Sequence, residues 1–195
     1  MGQDALLYSN ILLWAAILFI LFCLFLLFRQ FGTVYLAKSE AIERDGVPIG
    51  RVFTRVEGLS YFTDQLVTNN SFSDKPTIIA FISPGCLPCR ELLPDWNKAY
   101  TKYSKKVNFI LIGVGDKKSF SKLNNVDAIK GELILDPERN ILQGSRVRVT
   151  PFAFALDENG EVKGKGLCNG LSHIEGLINS LNSDFESIEL EGVLN

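Results

Sequence analysis

A run of β-favouring apolar residues leads directly into an amphipathic helical pattern between residues 76 and 103. Pro76 to Ser83 (PTIIAFIS) is a β-rich apolar run, which is typical of a strand that is buried on both faces. Leu87 to Tyr103 follows, with its apolar residues at helical spacing along one side, at Leu92, Leu93, Trp96 and Tyr100. Because a strand covered on both faces needs other layers around it, this segment predicts a layered α/β domain.

The segments around this unit add strands and helices in an order typical of a mixed sheet. A second buried strand is predicted at Val107–Val114, and Asn159–Gly160 predicts the turn of an antiparallel hairpin. Residues 51–70 are weakly patterned, and we expect an edge strand and a short helix there. The other predicted elements are short helices at 119–124 and 138–145, a strand at 132–135, hairpin strands at 152–156 and 161–167, and a helix from the capping box Ser172–Glu175 to about Leu181. The fold class is therefore α/β, with a mixed central sheet flanked by helices.

Two cysteines lie where the predicted strand meets the helix. Cys86 and Cys89 enclose Leu87 and Pro88, and a proline suits the first helical turn because a missing N–H costs nothing there. The unpaired N–H groups and the dipole at a helix N-terminus favour a negative charge, so a thiol placed there reacts as a thiolate. We expect an exposed Cys86 to attack a partner's sulfur and a buried Cys89 to resolve the mixed disulfide. Arg90, four residues after Cys86, is expected on the same helix face, where it adds thiolate stabilisation.

A metal site is the alternative interpretation of the cysteine pair. A structural zinc normally needs four ligands, whereas Cys168 is the only further thiol outside the N-terminal apolar run and His173 is the only histidine. No metal and no cofactor are therefore expected. Cys168 stands alone, and we expect a buried, inert thiol rather than a redox role. His173 is expected to be exposed in the first turn of the last helix and to take no part in catalysis.

A long uncharged apolar run occupies the N-terminal region. Ile11 to Phe28 contains no charged residue, and its eighteen residues would rise about 27 Å as a helix, close to a bilayer's hydrocarbon thickness of about 30 Å. A cleaved signal peptide would need a basic start and a small-residue cleavage site, and this segment has neither. The sequence therefore predicts one uncleaved transmembrane helix. The expected layout is a tail at 1–10, the anchor at 11–28, a stalk at 29–50, a domain at 51–182 and a C-terminal tail at 183–195.

The distribution of charge argues against nucleic acid as a partner. The formal net charge is −2, and the basic residues are scattered without interleaved aromatic side chains. The expected partners are instead the membrane, the thiols or disulfides of client proteins, and a further redox protein.

The residues around the cysteines resemble the thioredoxin superfamily. Cys86–Leu87–Pro88–Cys89–Arg90, with Pro94 five residues after the second cysteine, is similar to the family's active-site helix with its kinking proline. Thr150–Pro151–Phe152 resembles the cis-proline segment, and Leu135–Asp136–Pro137 is similar to the redoxin branch, which inserts an extra strand and helix. The resemblance covers roughly residues 76–181. It implies a thioredoxin-like fold, with Thr150 and Pro151 at substrate-binding positions where an extended client peptide pairs with the backbone.

One subgroup, the membrane-anchored methylamine dehydrogenase accessory (methylamine utilisation) thioredoxin-like proteins, is the most similar. The points of similarity are Arg29–Gln30 after the apolar run, Ile82–Ser83–Pro84 before the cysteines, and residues 165–169 running into the last helix. This resemblance implies a protein thiol-disulfide oxidoreductase or isomerase. Such a protein assists disulfide formation or maturation of an extracytoplasmic client.

Two departures from the thioredoxin pattern argue against a general thioredoxin-like reductase activity. Gly85 stands where thioredoxins usually carry Trp, and the acidic residue buried beneath their active site has no clear counterpart here. One alternative is a thiol-disulfide reductase for cytochrome c assembly or general thiol repair. Another, of a different class, is a copper-carrying or redox-sensing anchor, which the missing histidine partner disfavours. A peroxiredoxin is disfavoured because no P-x-x-x-[ST]-x-x-C motif surrounds either cysteine.

Two arguments about the side of the membrane disagree. Arg29, Lys38 and Arg44 follow the apolar run while no basic residue precedes it, which by the positive-inside rule favours a cytoplasmic domain. The resemblance implies an extracytoplasmic domain, and stable disulfide chemistry belongs outside the cytoplasm. Because long domains translocate largely regardless of charge, we expect a single-pass protein of the cytoplasmic membrane with an extracytoplasmic redox domain.

Overall fold

The computed structural model describes residues 8, 10–26, 45–69, 74–123 and 125–192, which belong to two compact units, Met1–Glu43 and Arg44–Asn195. In the first unit, residues 10–26 form a helix, α1, whose apolar side chains are mostly exposed. No helix in the described parts of the chain has both the length and the apolar character needed to cross a membrane. The end of the predicted span (residues 27 and 28), residues 29–44 of the predicted stalk and nearly all of the predicted tail at 1–10 lie outside the described residues.

A seven-stranded mixed sheet forms the centre of the second unit. Its strands are β1 (Glu57–Ser60), β2 (Leu66–Thr68), β3 (Thr77–Ile82), β4 (Asn108–Gly113), β5 (Glu132–Leu135), β6 (Phe152–Leu156) and β7 (Val162–Leu167). They are arranged in the order β2-β1-β5-β4-β3-β6-β7. The neighbours among β3, β4 and β5 run parallel, and all other neighbouring pairs run antiparallel. This is the α/β architecture with a mixed sheet that the sequence predicts.

Four helices accompany the described strands of this unit. They are α2 (Leu87–Tyr103), α3 (Lys117–Phe120), α4 (Asn140–Gly144) and α5 (Leu171–Gly192), with a short 3₁₀ helix at Val126–Ala128 between α3 and β5. α2 and α5 pack against each other, and α5 also contacts β6 and β7. The long helices therefore cover the region of the sheet to which the cysteine pair is attached.

The central strand β3 is buried along its whole length, as predicted. Successive side chains of a strand point to opposite faces, and the two faces are covered by different groups. Ile78 and Ile82 join a core that includes the buried side of α2, whereas Phe81 meets the ring of Phe154 edge-on at 6.1 Å. β6 shows the same division, because Ala153 and Ala155 belong to the helix-covered core. Small side chains on that face of β6 leave room for α5 to pack closely.

The buried side of α2 attaches this helix to the sheet. Cys89, Leu92, Leu93, Trp96 and Ala99 are its buried residues. Trp96 is fully buried, its ring lies edge-on to Phe109 at 5.1 Å, and its Nε1 donates a hydrogen bond to the carbonyl oxygen of Lys130 at 3.0 Å. A buried indole N–H needs such a partner. The predicted position of Trp96 on the apolar side of the helix is thereby confirmed.

The last helix begins differently from the prediction. The sequence predicts a capping box at Ser172–Glu175, but Ser172 lies inside α5 and the Glu175 carboxylate bonds across to α2. Its Oε1 accepts hydrogen bonds from Lys102 Nζ at 2.8 Å and from the Tyr103 hydroxyl at 2.9 Å, and these bonds lower the pKa of Glu175. The N–H of Leu171 donates instead to Asp95 of α2. The predicted capping box is therefore wrong, because Glu175 and the first N–H group of α5 bond to residues of α2 instead of to residues near them in the chain.

Three other boundaries differ from expectation. α5 runs to Gly192, so the helix extends well into the segment expected to be a loose tail from residue 183. In the segment 51–70, where one edge strand and a short helix are expected, the described residues contain two antiparallel strands, β1 and β2. Asn69 is in a 3₁₀ helix, and residues 70–73 lie outside the described residues. The predicted short helices at 119–124 and 138–145 are shorter or displaced, at Lys117–Phe120 and Asn140–Gly144, and Asn124 lies outside the described residues.

A segment before the expected domain start packs on the sheet. Asp45, Gly46 and Val47 are buried, and the Asp45 carboxylate pairs with Arg148. Lys165 Nζ donates to the carbonyl oxygen of Asp45 at 2.7 Å. The folded unit therefore begins before residue 51, and this part of the predicted stalk belongs to the domain.

Cys168 lies in the helix-covered core, immediately after β7. Its side chain is fully buried, and its backbone N–H donates to the carbonyl oxygen of Pro151 at 3.1 Å. Burial penalises the charged form and raises the pKa of the Cys168 thiol to about 12. The expectation of a buried thiol is confirmed, and the raised pKa keeps that thiol protonated at neutral pH.

We predict that Gly46→Ala destabilises the domain more than Gly160→Ala. Both glycines have φ of +77°, so each substitution costs about 1–2 kcal/mol of left-handed backbone strain. A Cβ on Gly46 would also lie 2.6 Å from Phe154 Cζ, whereas a Cβ on Gly160 meets nothing within 4 Å. Overpacking adds about 1–3 kcal/mol at Gly46 alone. Urea unfolding followed by far-ultraviolet circular dichroism measures both, and equal losses would contradict the packing of this segment on Phe154.

We predict that Cys168 resists alkylation in the folded chain. At pH 8 a pKa of about 12 leaves a thiolate fraction lower by about three orders of magnitude than that of an unfolded cysteine with its pKa near 8.5. Iodoacetamide labelling followed by peptide mass spectrometry should leave the Cys168 peptide unmodified in buffer and modify it in urea. Rapid labelling in buffer would show that this thiol is accessible.

Candidate active site

The end of β3 and the start of α2 place the cysteine pair at one edge of the sheet. β3 ends at Ile82, and Cys86 is the N-cap of α2, with its N–H bonded back to the carbonyl oxygen of Ser83 at 3.1 Å. The Cys86 sulfur accepts a hydrogen bond from the N–H of Cys89 at 3.3 Å. It therefore occupies the place where a capping side chain normally satisfies an unpaired helix N–H. Pro88 lies in the first turn of the helix, as predicted.

The two cysteines form a disulfide but differ in burial. Their Cα atoms are 5.2 Å apart. Cys86 is half-buried, whereas Cys89 is only 2% exposed and lies in the helix-covered core. The sequence predicts an exposed first cysteine and a buried second one, and the structure has the same ranking. Of the two sulfurs, that of Cys86 is the one open to a partner.

Thr150 and Pro151 lie beside Cys86 although they are more than sixty residues away along the chain. β6 pairs antiparallel with β3, with Phe152 opposite Phe81, so the residues before β6 and those after β3 lie at the same edge of the sheet. The Thr150–Pro151 peptide bond is cis, as the resemblance implies. The carbonyl oxygen of Thr150 lies 3.4 Å from the Cys86 sulfur. The sheet therefore brings together both of the segments that the sequence assigns to the site.

Arg90 lies one turn into α2. Its N–H donates to the carbonyl oxygen of Cys86 at 3.3 Å. Its side chain is exposed and lines a groove together with Gly85 and Leu87. The structure thus places the guanidinium on the same end of the helix as the cysteine pair.

No buried carboxylate of the described residues contacts Cys86 or Cys89. Among the described residues, the acidic residues buried as a whole are Asp45 and Asp136, and each has a partner elsewhere. The half-buried Glu132 of β5 has one buried carboxylate oxygen, Oε1, without a hydrogen-bond partner. Asp45 pairs with Arg148, and Asp136 accepts a hydrogen bond from the N–H of Leu142 at 2.9 Å. The described residues also contain no group of three or more His, Cys, Asp or Glu side chains arranged to hold a metal ion. His173 is exposed, and its Nδ1 accepts from the N–H of Asn169.

Sequence reasoning missed the apolar and ionic surroundings of the site. Leu87 and Val149 are 58% and 42% exposed, and each is the neighbour along the chain of a residue in the Cys86–Thr150 contact. Arg148, the partner of Asp45 in the ion pair, lies two residues before Thr150. Asp45 and Arg148 are separated by 103 positions, so no local pattern predicts their contact. The exposure of Leu87 was in principle detectable, because it falls outside the apolar stripe of α2.

Comparisons with known proteins agree with this geometry. The family model described as AhpC/TSA matches residues 54–165, more than half of the 195 residues. A methylamine utilization protein MauD from Methylophilus methylotrophus is 25% identical over 193 residues, covering 97% of this chain and 90% of the relative. A MauD from Paracoccus versutus is 27% identical over 188 residues, covering 94% and 93%. The resemblance found in the sequence is thereby confirmed.

Solved structures share the fold. The thioredoxin domain of a thiol-disulfide oxidoreductase from Bacteroides vulgatus matches with a TM-score of 0.58 and 18% identity, covering 73% of this chain and 98% of that chain. A thiol:disulfide interchange protein from Bacteroides sp. matches with a TM-score of 0.59 and 20% identity, covering 68% and 91%. At these identities the likeness establishes the thioredoxin-like fold. With its disulfide-bonded C-x-x-C pair at the start of α2, the chain belongs to the AhpC/TSA family and is a thioredoxin-like thiol-disulfide oxidoreductase.

Proposed function

We propose that this protein is a membrane-anchored oxidoreductase that forms, reduces or isomerises disulfides in an extracytoplasmic client, in the manner of a methylamine dehydrogenase accessory protein. The observation that carries the proposal is the asymmetric disulfide, with Cys86 accessible at the mouth of α2 and Cys89 buried behind it. Thiol-disulfide exchange begins at a sulfur that a partner can reach, and burial of the other sulfur directs the partner's attack to the accessible one.

Exchange by the disulfide form begins at Cys86. A client thiolate attacks the Cys86 sulfur, the Cys86–Cys89 bond breaks, and Cys89 leaves as a thiolate that takes up a proton. A second client thiolate then attacks the client sulfur of the mixed disulfide, and Cys86 leaves as a thiolate. The two client thiols lose two electrons and two protons in all. The Cys86–Cys89 pair gains both electrons and the proton on Cys89, and the second proton goes to solvent while Cys86 remains a thiolate. The same steps in reverse reduce a client disulfide.

The start of α2 favours Cys86 as both attacking and leaving sulfur. The N–H of Cys89 already points at this sulfur, and the dipole of the seventeen-residue helix adds positive potential at its N-terminus. We propose that Arg90, exposed one turn further on, gives additional stabilisation to the thiolate. Because Cys89 lies in an apolar core, its thiolate is the costlier of the two. Resolution of the mixed disulfide by Cys89 therefore proceeds as that thiol loses its proton to the departing sulfur.

Thr150 and Pro151 are proposed to hold the client peptide next to Cys86. The Thr150 carbonyl oxygen lies against the reactive sulfur, and the segment that contains it precedes a strand. An extended client segment can pair with such backbone, as in other cases of strand addition. The exposed side chains of Leu87 and Val149 offer apolar contact on the two sides of the Cys86–Thr150 contact.

The near full-length similarity to MauD proteins supports a client of the methylamine-utilisation type. These relatives match over 94–97% of the chain, so the similarity extends beyond the thioredoxin-like domain. Disulfide exchange is proposed rather than peroxide reduction, because no P-x-x-x-[ST]-x-x-C motif surrounds either cysteine.

Membrane anchoring is proposed from the N-terminal sequence. Ile11 to Phe28 is uncharged, and the part of it within α1 exposes large apolar side chains such as Leu12, Trp14 and Phe25. A helix that is apolar on every side needs a lipid or protein environment. The extracytoplasmic placement of the redox domain is supported by the compartments in which disulfides persist.

Cysteine-to-serine variants test the assignment of the attacking sulfur. Cys89→Ser should trap a mixed disulfide with a small thiol or a client, because no second sulfur is left to resolve it. The matched variant Cys86→Ser leaves only the buried Cys89, and trapping should fall at least about tenfold. Mass spectrometry of the non-reduced full-length variants measures the adduct. Equal trapping by both variants would falsify the assignment of Cys86.

A reporter fusion tests the proposed topology. Alkaline phosphatase, which needs disulfides, should be active when fused after Asn195 in a bacterial host, because the fusion point is expected outside the cytoplasm. A cytoplasmic reporter at the same site should be inactive. The opposite pair of results would place the redox domain in the cytoplasm, as the basic residues after the apolar run favour.

A further inference from the structure

A groove of about 890 Å³ runs along α2 from the cysteine pair, on the side away from Thr150. Its walls come from α2 and from the segment between β4 and β5. β3 lies between β4 and β6 in the sheet. The Thr150 segment therefore lies on the β6 side of Cys86, and this groove lies on the β4 side. Gly85 and Leu87, the two neighbours of Cys86 in the chain, line its near end.

The groove combines an apolar floor with positive charge. Leu93, Leu123 and Ile129 supply apolar surface, and Arg90 and Lys122 are its charged residues. Among the described residues that line the groove there is no Asp or Glu. The whole chain has a net charge of −2, so the positive character is local to this groove and is not a general property of the protein. Charge of one sign in a concave site attracts ligands of the opposite sign.

The length of the groove suits a short polypeptide segment. From Leu87 to Asn97 along α2 the rise is about 15 Å at about 1.5 Å per residue. An extended peptide of about five residues spans this distance at about 3.3 Å per residue. A client segment that begins next to the cysteine joined to Cys86 and follows the groove would therefore pass Arg90 on α2, with Lys122 on the wall formed by the segment between β4 and β5.

We infer that this groove binds an acidic segment of the partner polypeptide, adjacent to the cysteine that exchanges with Cys86. The inference rests on the proposed function, because it concerns partners of the same disulfide. It adds a selectivity that the Cys86–Thr150 contact does not supply, since backbone pairing at Thr150 accepts any sequence. Acidic residues next to the partner's cysteine gain from Arg90 and Lys122, and basic residues at that place are repelled.

Synthetic peptides with one cysteine test the inference on the oxidised full-length protein. In one set of peptides the five residues that follow the cysteine are acidic, neutral or basic. In a second set the same five residues precede the cysteine. The measured quantity is the second-order rate constant for reduction of the Cys86–Cys89 disulfide. Each rate constant is divided by the rate constant with which the same peptide reduces a small uncharged disulfide compound. This ratio removes differences in thiolate fraction among the peptides. We expect the acidic peptides of at least one set to react about fivefold faster than the basic ones at low salt, and the ratio to fall as salt is added.

Two lysine variants separate the groove from the overall charge. Lys122→Glu should lower the acidic-to-basic ratio at least about threefold, with Lys122→Gln in between, because Lys122 is exposed and its replacement leaves the core intact. Lys105→Glu changes the net charge equally but lies beyond the far end of α2, about 26 Å from the cysteines, and should leave the ratio unchanged. An unaltered ratio in Lys122→Glu, or equal falls in both variants, overturns the groove as the acidic site. Failure of every peptide to reduce the wild-type disulfide instead overturns the proposed function, and the inference with it.

Discussion

The pairing of β3 with β6 is the constraint on which the site depends. Phe81 lies opposite Phe152, so the chain leaves β3 and enters β6 at the same edge of the sheet. Cys86 follows β3 by four residues, and Thr150 precedes β6 by two. A shift of one residue in this register would turn every side chain of β6 to the other face. The phenylalanines of β6 would then face the helices, and the close packing of α5 on its alanines would be lost.

The helix that carries the cysteines is held from two directions. Its buried side packs on the sheet through Trp96 and its neighbours, and its outer side is tied to α5 by the contacts of Asp95, Lys102 and Tyr103. These ties leave the N-terminus of α2 as the open end. A fixed helix with an open N-terminus can stabilise a thiolate at Cys86 without having to reorganise when the charge appears.

The two sides of Cys86 are chemically different. The β6 side has a backbone carbonyl and a segment whose Arg148 pairs with Asp45. The β4 side has the groove lined by Arg90 and Lys122. A backbone surface accepts many sequences, whereas a charged groove selects among them. Recognition and reaction can thus be carried by separate surfaces that meet at one sulfur.

The sequence by itself determined the α/β class, the strand before the cysteines, the helix after them and the hairpin at Asn159–Gly160, because these depend on local periodicity and turn chemistry. It also determined which cysteine would be buried, since Cys89 falls on the apolar side of α2 with Leu92, Leu93 and Trp96. Tertiary structure alone decided the partners of Asp45 and Glu175, the start of α5 and the shape of the groove beside Arg90. These features join residues that lie far apart in the chain, and a local pattern contains no information about which distant side chain will arrive. The predicted capping box shows the reason most directly. The sequence offers Glu175 a local partner at Ser172, but Lys102 and Tyr103 of α2 bind its carboxylate instead.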